Sequence, residues 1–266
     1  MMNDANEINH QTKLYGFIGE EAGQSSLSAK LNKKLKTANK DAMMIPMNIR
    51  DDDFYFTVSN MKKSHVNGAV LSTEYVTSVL EILDDYSDVV RESAMCDILV
   101  RDGEKLIGDV IFADVLVDYL KEEGVMKIAL IGTNHYAKAF AIKCPSSLHV
   151  SYFNDNLEGL MHFTTALHVE DADINRIAEG MEVDLSIYDA VLNFSDFDTL
   201  AMVSKLARLN IDMKQKKQLS SLKIRANELG SSYIGFEDIL DDISDGIFEF
   251  YKSKDHLNYD KSEMRF

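Results

Sequence analysis

The sequence predicts an α/β protein built from two domains. Short apolar runs that are typical of strands alternate with amphipathic stretches from Lys13 almost to the end of the chain. This alternation is typical of parallel sheets whose two faces are covered by helices, and a second round of it begins at Lys127. The length of 266 residues and the hydrophobic content of 45% suit one or two domains, each with a buried core.

The first domain is expected to span residues 13–112 together with 236–266. Apolar runs predict strands at residues 14–18, 42–47 and 68–71, and the pair Asp102-Gly103 predicts a hairpin between strands 96–100 and 105–108. Leucines spaced four apart predict a helix over 27–35, and three aspartates at 51–53 favour a helix that runs to residue 61. Thr73 as a cap predicts a helix over 73–86, which would bury Val76, Val79, Leu80 and Leu83.

The second domain is expected to span residues 113–235. Strands are predicted at 128–131, 149–153 and 190–194 and near 210–213. Helices are predicted over 137–142, 200–209 and 219–229, and from Phe112 through Leu120 at the boundary between the domains. A last helix over 239–251 belongs to the first domain.

Charge and composition limit the possible partners. The formal net charge of −16 argues against nucleic acid and against an anionic membrane surface, because both repel an acidic protein. Cys96 and Cys144 are too few for a disulfide framework. No signal peptide or apolar membrane run is visible, so a cytoplasmic monomer or homodimer is expected. The spacing of His, Cys and carboxylate residues suggests no metal site.

Several motifs occur in a characteristic order. Gly16-Phe17-Ile18-Gly19 is followed by Ser26-Leu27-Ser28, and Gly68-Ala69 opens the next segment. Leu106-Ile107-Gly108-Asp109, Leu130-Ile131-Gly132 and the block from Asp212 to Gly230 come later. In register and spacing the chain resembles the shikimate/quinate dehydrogenase family over nearly its whole length. The resemblance implies an N-terminal substrate domain, a Rossmann-like nucleotide domain and a C-terminal helix that folds back on the first domain.

The resemblance also exposes departures at the catalytic positions. The family transfers a hydride between a nicotinamide and a ring alcohol, with a Lys and an Asp handling the proton, and these positions fall on Val76 and Phe112. Neither side chain titrates, so no catalytic residue is assigned. The family's carboxylate-binding hydroxyl pair maps to Ser26 and Ser28, for which a helix cap is the alternative. Its other substrate contacts map to Cys96, for which core packing is the alternative, and to Gln215.

The cofactor loop is altered as well. Gly132-Thr133-Asn134-His135-Tyr136-Ala137 keeps the first glycine of a dinucleotide turn, and Asn134 tolerates a left-handed conformation where a second glycine is usual. His135 and Tyr136 add bulk at the helix N-terminus, where phosphate oxygens would receive N–H groups. Asp155 replaces the family's arginine and would accept from a ribose hydroxyl, for which a solvated loop residue is the alternative. The cofactor is left open, with NAD favoured over NADP.

Three functions are consistent with these residues. The first is a non-catalytic or weakly active paralogue that binds a small carboxylate ligand. The second, which the resemblance implies, is an NAD(P)-dependent oxidoreductase that acts on shikimate, quinate or another small hydroxy acid through residues the sequence does not identify. The third is a scaffold that binds protein partners through its acidic surface.

Overall fold

The computed structural model describes residues 11–169, 171–214 and 218–254. Contacts divide the chain into two units. The first consists of the described residues up to Ile111 together with those from Leu240 onward, and the second is Phe112–Ile239. The first unit is therefore discontinuous in sequence, with the second unit inserted before its last helix.

Strands and helices alternate along most of the chain. The strands are β1 Lys13–Gly19, β2 Ala42–Asn48, β3 Val66–Leu71, β4 Asp85–Tyr86, β5 Ile98–Asp102, β6 Lys105–Asp109, β7 Lys127–Ile131, β8 His149–Asn154, β9 Asp173–Arg176, β10 Val183–Asp184, β11 Ala190–Asn193, β12 Val203–Lys205 and β13 Leu209–Ile211. The helices are α1 Leu27–Thr37, α2 Asp51–Met61, α3 Asp88–Ser93, α4 Phe112–Glu122, α5 His135–Lys143, α6 Leu157–Ala166, α7 Ser221–Leu229 and α8 Leu240–Ser253. This is the α/β class that the sequence predicts.

The sheet of the first unit is mixed. Its strand order is β2-β1-β3-β5-β6-β4, with β1 parallel to both β2 and β3. The predicted hairpin is confirmed, because β5 and β6 pair antiparallel around a turn in which Gly103 has φ +59°. Strand β5 is also antiparallel to β3. The sheet is mixed because β5 runs against both of its neighbours.

The main sheet of the second unit is entirely parallel. Its order is β13-β11-β7-β8-β9. Strands β8 and β9 therefore lie on one side of β7, and β11 and β13 lie on the other. Strand β7 carries Ile128–Ile131, which are fully buried. In open α/β sheets, ligands bind at the carboxyl ends of the strands where the strand order reverses, and here that point lies after β7, β8 and β11.

The C-terminal helix α8 packs on the first unit. The ring of Tyr251 lies 4.2 Å from that of Tyr15, and Asp241 and Asp245 pair with Lys30 and Lys34 of α1. Gly68 lets β3 lie close to β5 and to α8. A Cβ at that position would lie 2.4 Å from the carbonyl oxygen of Leu99 and 3.2 Å from the Tyr251 ring. Among the described residues, no helix is long and apolar enough to cross a membrane.

The predicted helix over residues 73–86 is wrong. The segment forms turns, a short 3₁₀ helix at Ser78–Glu81 and then strand β4. Tyr75 stacks on Phe54 with ring centroids 4.1 Å apart, and its hydroxyl donates to the carbonyl oxygen of Ile49. These contacts fix the segment in a non-helical path although Val76 and Val79 are buried as expected.

The predicted helix over residues 200–209 is also wrong. Val203 is fully buried and begins strand β12, which pairs in parallel with β10. The amide of Val183 donates to the carbonyl oxygen of Met202, so the backbone groups that a helix would use internally serve this small sheet. The sequence analysis also missed helices α3 and α6, whose N-termini are capped by Ser87 and Asn156.

Candidate functional site

The first turn of α1 carries the two serines predicted to bind a ligand. Ser26 occupies the N-cap position, yet its side chain makes no capping hydrogen bond. Ser28 is 5% exposed, and its Oγ has no hydrogen-bond partner among the described residues. Because neither side chain caps α1, the structure does not support the helix-cap alternative for this pair. A buried hydroxyl left unpaired also costs about 1–3 kcal/mol.

The carboxyl ends of β1 and β3 are joined by a glutamate that the sequence analysis did not single out. Glu74 accepts a hydrogen bond from the Glu20 amide at 2.8 Å and another from Ser72 Oγ at 2.6 Å. Its carboxylate therefore lies at the ligand-binding edge of the parallel strands. A Ser-Thr-Glu run directly after a strand was the available signal.

The two positions assigned to the family's proton relay are buried and apolar. Val76 is 3% exposed, and its carbonyl oxygen accepts from the Cys96 amide at 2.8 Å. Phe112 is 6% exposed and lies edge-on to Tyr136 and Phe194, with ring centroids 5.0 and 5.8 Å away. Neither environment holds or moves a proton through these side chains.

Tyr75, beside Val76, is no substitute base. Burial, assisted by the nearby carboxylates of Glu20, Glu74 and Asp51, raises the pKa of Tyr75 to about 12. The phenol is therefore neutral at physiological pH, and its proton is committed to the carbonyl oxygen of Ile49.

Cys96 lies in the core of the first unit. It is fully buried, and its thiol donates to the carbonyl oxygen of Ile98 at 3.3 Å. Burial raises the pKa of this thiol well above its usual range. The thiol hydrogen is committed to this carbonyl oxygen and the side chain packs in the core, so the structure favours the core-packing alternative for Cys96 over the predicted substrate contact. Gln215, the other predicted contact, lies outside the described residues.

A buried carboxylate lies between β13 and α7. Asp212 is fully buried and accepts from Tyr233 Oη at 2.7 Å, from the Lys214 amide at 3.1 Å and from Ser220 Oγ. Ser220 also caps α7 by accepting from the Lys223 amide. One carboxylate thus fixes the end of β13 to the start of α7.

We expect Asp212 to make stability depend on pH. Burial outweighs the hydrogen bonds and raises the pKa of Asp212, so the folded protein binds this proton more tightly than the unfolded chain. The resulting stabilisation is fully present below the unfolded pKa of about 3.9 and is lost as pH rises through the folded value. Compared with Asp212→Asn, the wild type should gain free energy of unfolding as pH is lowered, measured by urea denaturation. The exposed control Asp198→Asn should show no such trend, and parallel curves for Asp212→Asn and the wild type would contradict the assignment.

The second unit contains a cavity of about 340 Å³ at the carboxyl ends of β7, β8 and β11. The described residues that line it are Gly132, Thr133, Asn134, Asn154, Phe194, Ser195, Asp196 and Phe197. It lies where the strand order reverses, as expected for a ligand site in such a sheet. Gly132 and Asn134, two of the three predicted cofactor residues, therefore share one cavity.

The turn that enters α5 differs from the expected geometry. Gly132 has φ +103°, and a Cβ there would lie 2.6 Å from backbone atoms of Phe194 and Ser195. Asn134 has φ −75° and ψ −175°, so the expected left-handed conformation at this residue is wrong. It is instead an extended N-cap, whose Oδ1 accepts from the amides of Tyr136 and Ala137 at 3.0 and 3.1 Å.

Asp155, the third predicted cofactor residue, is exposed in the turn after β8 and is not part of the cavity lining. Its amide donates to Asn154 Oδ1, and Asn154 Nδ2 donates to Thr133 Oγ1 at 3.2 Å. The side chain of Asn154 thus links the ends of β7 and β8, a role that the sequence analysis missed. Within the described part of the chain, no group of three His, Cys, Asp or Glu side chains is placed to hold a metal ion.

No family model matches the chain. A curated shikimate dehydrogenase (NADP(+)) of Pyrococcus furiosus is 23% identical over 154 residues, which make up 57% of this chain and 56% of that protein. The enzyme of the same description from Carboxydothermus hydrogenoformans is 25% identical over 138 residues, 50% of this chain and 49% of that protein. The match thus spans about half the length of these curated relatives.

The likeness in structure covers more of the chain. A crystal structure of a shikimate dehydrogenase in complex with NADP⁺ matches with a TM-score of 0.71 and 16% identity, covering 92% of this chain and 91% of that one. The chain is similar in sequence to shikimate dehydrogenases over about half of its length, and similar in fold over most of it. At such low identity the structural match establishes the fold, a two-domain α/β architecture whose second unit is Rossmann-like.

Proposed function

We propose that this shikimate-dehydrogenase-like protein binds a small carboxylate ligand at Ser26 and Ser28 and lacks the family's proton relay. The observation that carries the proposal is the hydroxyl of Ser28, which is buried without a partner among the described residues. Unpaired buried polar groups are uncommon in folded proteins, and a functional site is one of the places where they occur.

The chemistry of a carboxylate suits this place. The hydroxyls of Ser26 and Ser28, with one residue between them at the start of a helix, donate to the two oxygens of one carboxylate. The positive end of the α1 dipole adds to the attraction. Helix α1 has eleven residues with Lys34 and Lys36 in its last turn and no acidic residue in its first turn. No carboxylate of α1 itself therefore competes with a ligand at this end.

The missing relay is supported by the burial of Val76 and Phe112. Proton transfer by a positioned side chain typically raises the rate of the chemical step by roughly 10²–10⁴-fold, and neither residue supplies it. Where Val76 stands in place of the family's lysine, a polar hydroxyl of a ligand loses a charged partner at about 1–3 kcal/mol. A flatter, more hydrophobic acid than shikimate should therefore bind better.

A thermal-shift screen of small carboxylic acids tests the proposal. Acids that raise the melting temperature of the wild type should lose most of that shift in the double variant Ser26→Ala with Ser28→Ala, because both donors are gone. Ser78→Ala removes an exposed hydroxyl from the same unit and should respond like the wild type. Equal stabilisation of the double variant and the wild type would show that the serine pair does not bind the acid.

A further inference from the structure

The cavity of the second unit has the location of a nucleotide site but not its chemistry. A phosphate at the N-terminus of a helix is held by free backbone amides. At α5, the amides of Tyr136 and Ala137 already donate to Asn134 Oδ1, at 3.0 and 3.1 Å. A pyrophosphate would have to displace the asparagine side chain from both amides before it could bind them.

The described lining of the cavity also offers no free cation to a phosphate. The described lining residues include neither lysine nor arginine, and they include one carboxylate, that of Asp196. Lys214 lies nearby, but its ammonium is 4.0 Å from Asp196 Oδ1 and is paired with that carboxylate. A dinucleotide carries two phosphate charges into this site, so the residues present do not fit a nicotinamide dinucleotide.

The remaining groups suit an uncharged polar ligand. Thr133 Oγ1 accepts from Asn154 Nδ2, which leaves the threonine hydroxyl hydrogen to donate to a ligand oxygen or ring nitrogen. The carboxylate of Asp196 accepts from ligand hydroxyls, while Phe197, half-buried, gives the lining an aromatic ring. A volume of about 340 Å³ falls within the range of small-molecule sites, roughly 300–1,000 Å³.

We propose that this cavity binds an uncharged ligand with a hydroxylated ring and an aromatic base, the chemistry of a nucleoside, and excludes its phosphorylated forms. The site is independent of the carboxylate site at Ser26 and Ser28 and uses none of its residues. It assigns to the second unit a binding role in which a nicotinamide dinucleotide takes no part.

Calorimetric titration of the full chain with adenosine, AMP, NAD and NADP tests this directly, because adenosine and AMP differ only by the phosphate. Adenosine should bind at least tenfold more tightly than AMP. NAD should bind more weakly than adenosine, and NADP more weakly still, since exposed Asp155 adds a further negative charge beside the site. AMP affinity equal to or above that of adenosine would overturn the proposal, as would the absence of adenosine binding at millimolar concentration.

Two variants test the stated causes of phosphate exclusion. Asp196→Asn removes the negative charge at an exposed position, and Asn134→Gly frees the two amides of α5. Each variant should lower the ratio of the AMP dissociation constant to the adenosine dissociation constant several-fold. Asp198→Asn removes an exposed charge that does not line the cavity and should leave the preference unchanged. An unchanged adenosine-to-AMP ratio in Asp196→Asn would overturn the electrostatic exclusion, and folding of each variant is checked by its melting temperature.

Discussion

Oxidation of shikimate or quinate with NAD or NADP should proceed at background rate in this protein. Losing one member of a proton relay leaves room for water to substitute, but under the proposed assignment of the relay positions to Val76 and Phe112 both members are missing. Both side chains are almost completely buried, so water has little access to either position. A steady-state assay at millimolar substrate measures the effect, and turnover in the ordinary enzyme range of about 1–10³ s⁻¹ would contradict it.

A lysine–aspartate pair elsewhere in the first unit provides the control for that assay. Lys62 Nζ lies 2.8 Å from Asp84 Oδ1, and Asp84 Oδ2 accepts from the Leu106 amide. These hydrogen bonds hold the pKa of Asp84 below its usual range, so this carboxylate is not a proton donor at neutral pH. Lys62→Met should leave any trace activity unchanged. Activity that is measurable in the wild type and lost in Lys62→Met would show that the relay has been replaced rather than removed.

Gly132→Ala should lower the free energy of unfolding by about 3 kcal/mol. Two causes act together at this residue. The backbone has φ +103°, which side chains rarely adopt, and the new Cβ would lie 2.6 Å from the carbonyl carbon of Phe194. The neighbouring atoms belong to the backbone of Phe194 and Ser195 and not to a flexible side chain. The loop after β11 must therefore move. Urea denaturation monitored by circular dichroism measures the loss.

Gly180→Ala is the matched control in the same unit. Gly180 has φ +81°, but a Cβ there would have no atom within 4 Å. Only backbone strain applies, and the expected loss is about 1 kcal/mol. Equal losses in the two variants would mean that the contact between the turn after β7 and the loop after β11 contributes nothing.

The sequence predicted those parts of the fold in which local pattern and tertiary packing agree. Helix α1 has its leucines spaced four apart and buries all of Leu27, Leu31 and Leu35, and Asp102-Gly103 forms its hairpin. Between β3 and β4 the apolar spacing matches a helix equally well. There, however, the side chain of Glu74 and the stacking of Tyr75 favour turns, and such long-range contacts leave no periodic signal.

The candidate sites show the same division. The positions of Ser26, Gly132 and Asn134 follow from motif spacing, because turns before helices have strong residue preferences. Two other features depend on how neighbouring side chains pack: Ser28 Oγ has no partner within the part of the chain that the structure describes, and Asn134 Oδ1 occupies two amides of α5. Asparagine is a good N-cap residue, so the capping role of Asn134 could have been predicted from sequence.

The position of α8 has a consequence for the order in which the chain acquires its structure during synthesis. A ribosome completes the second unit before it makes Tyr251, whose ring fills the space beside Gly68 and Tyr15. Until then the nascent first unit exposes the apolar surface that Ile243, Ile247 and Tyr251 later cover. Domains generally fold as units during translation, so the half of the protein that is translated first becomes compact last.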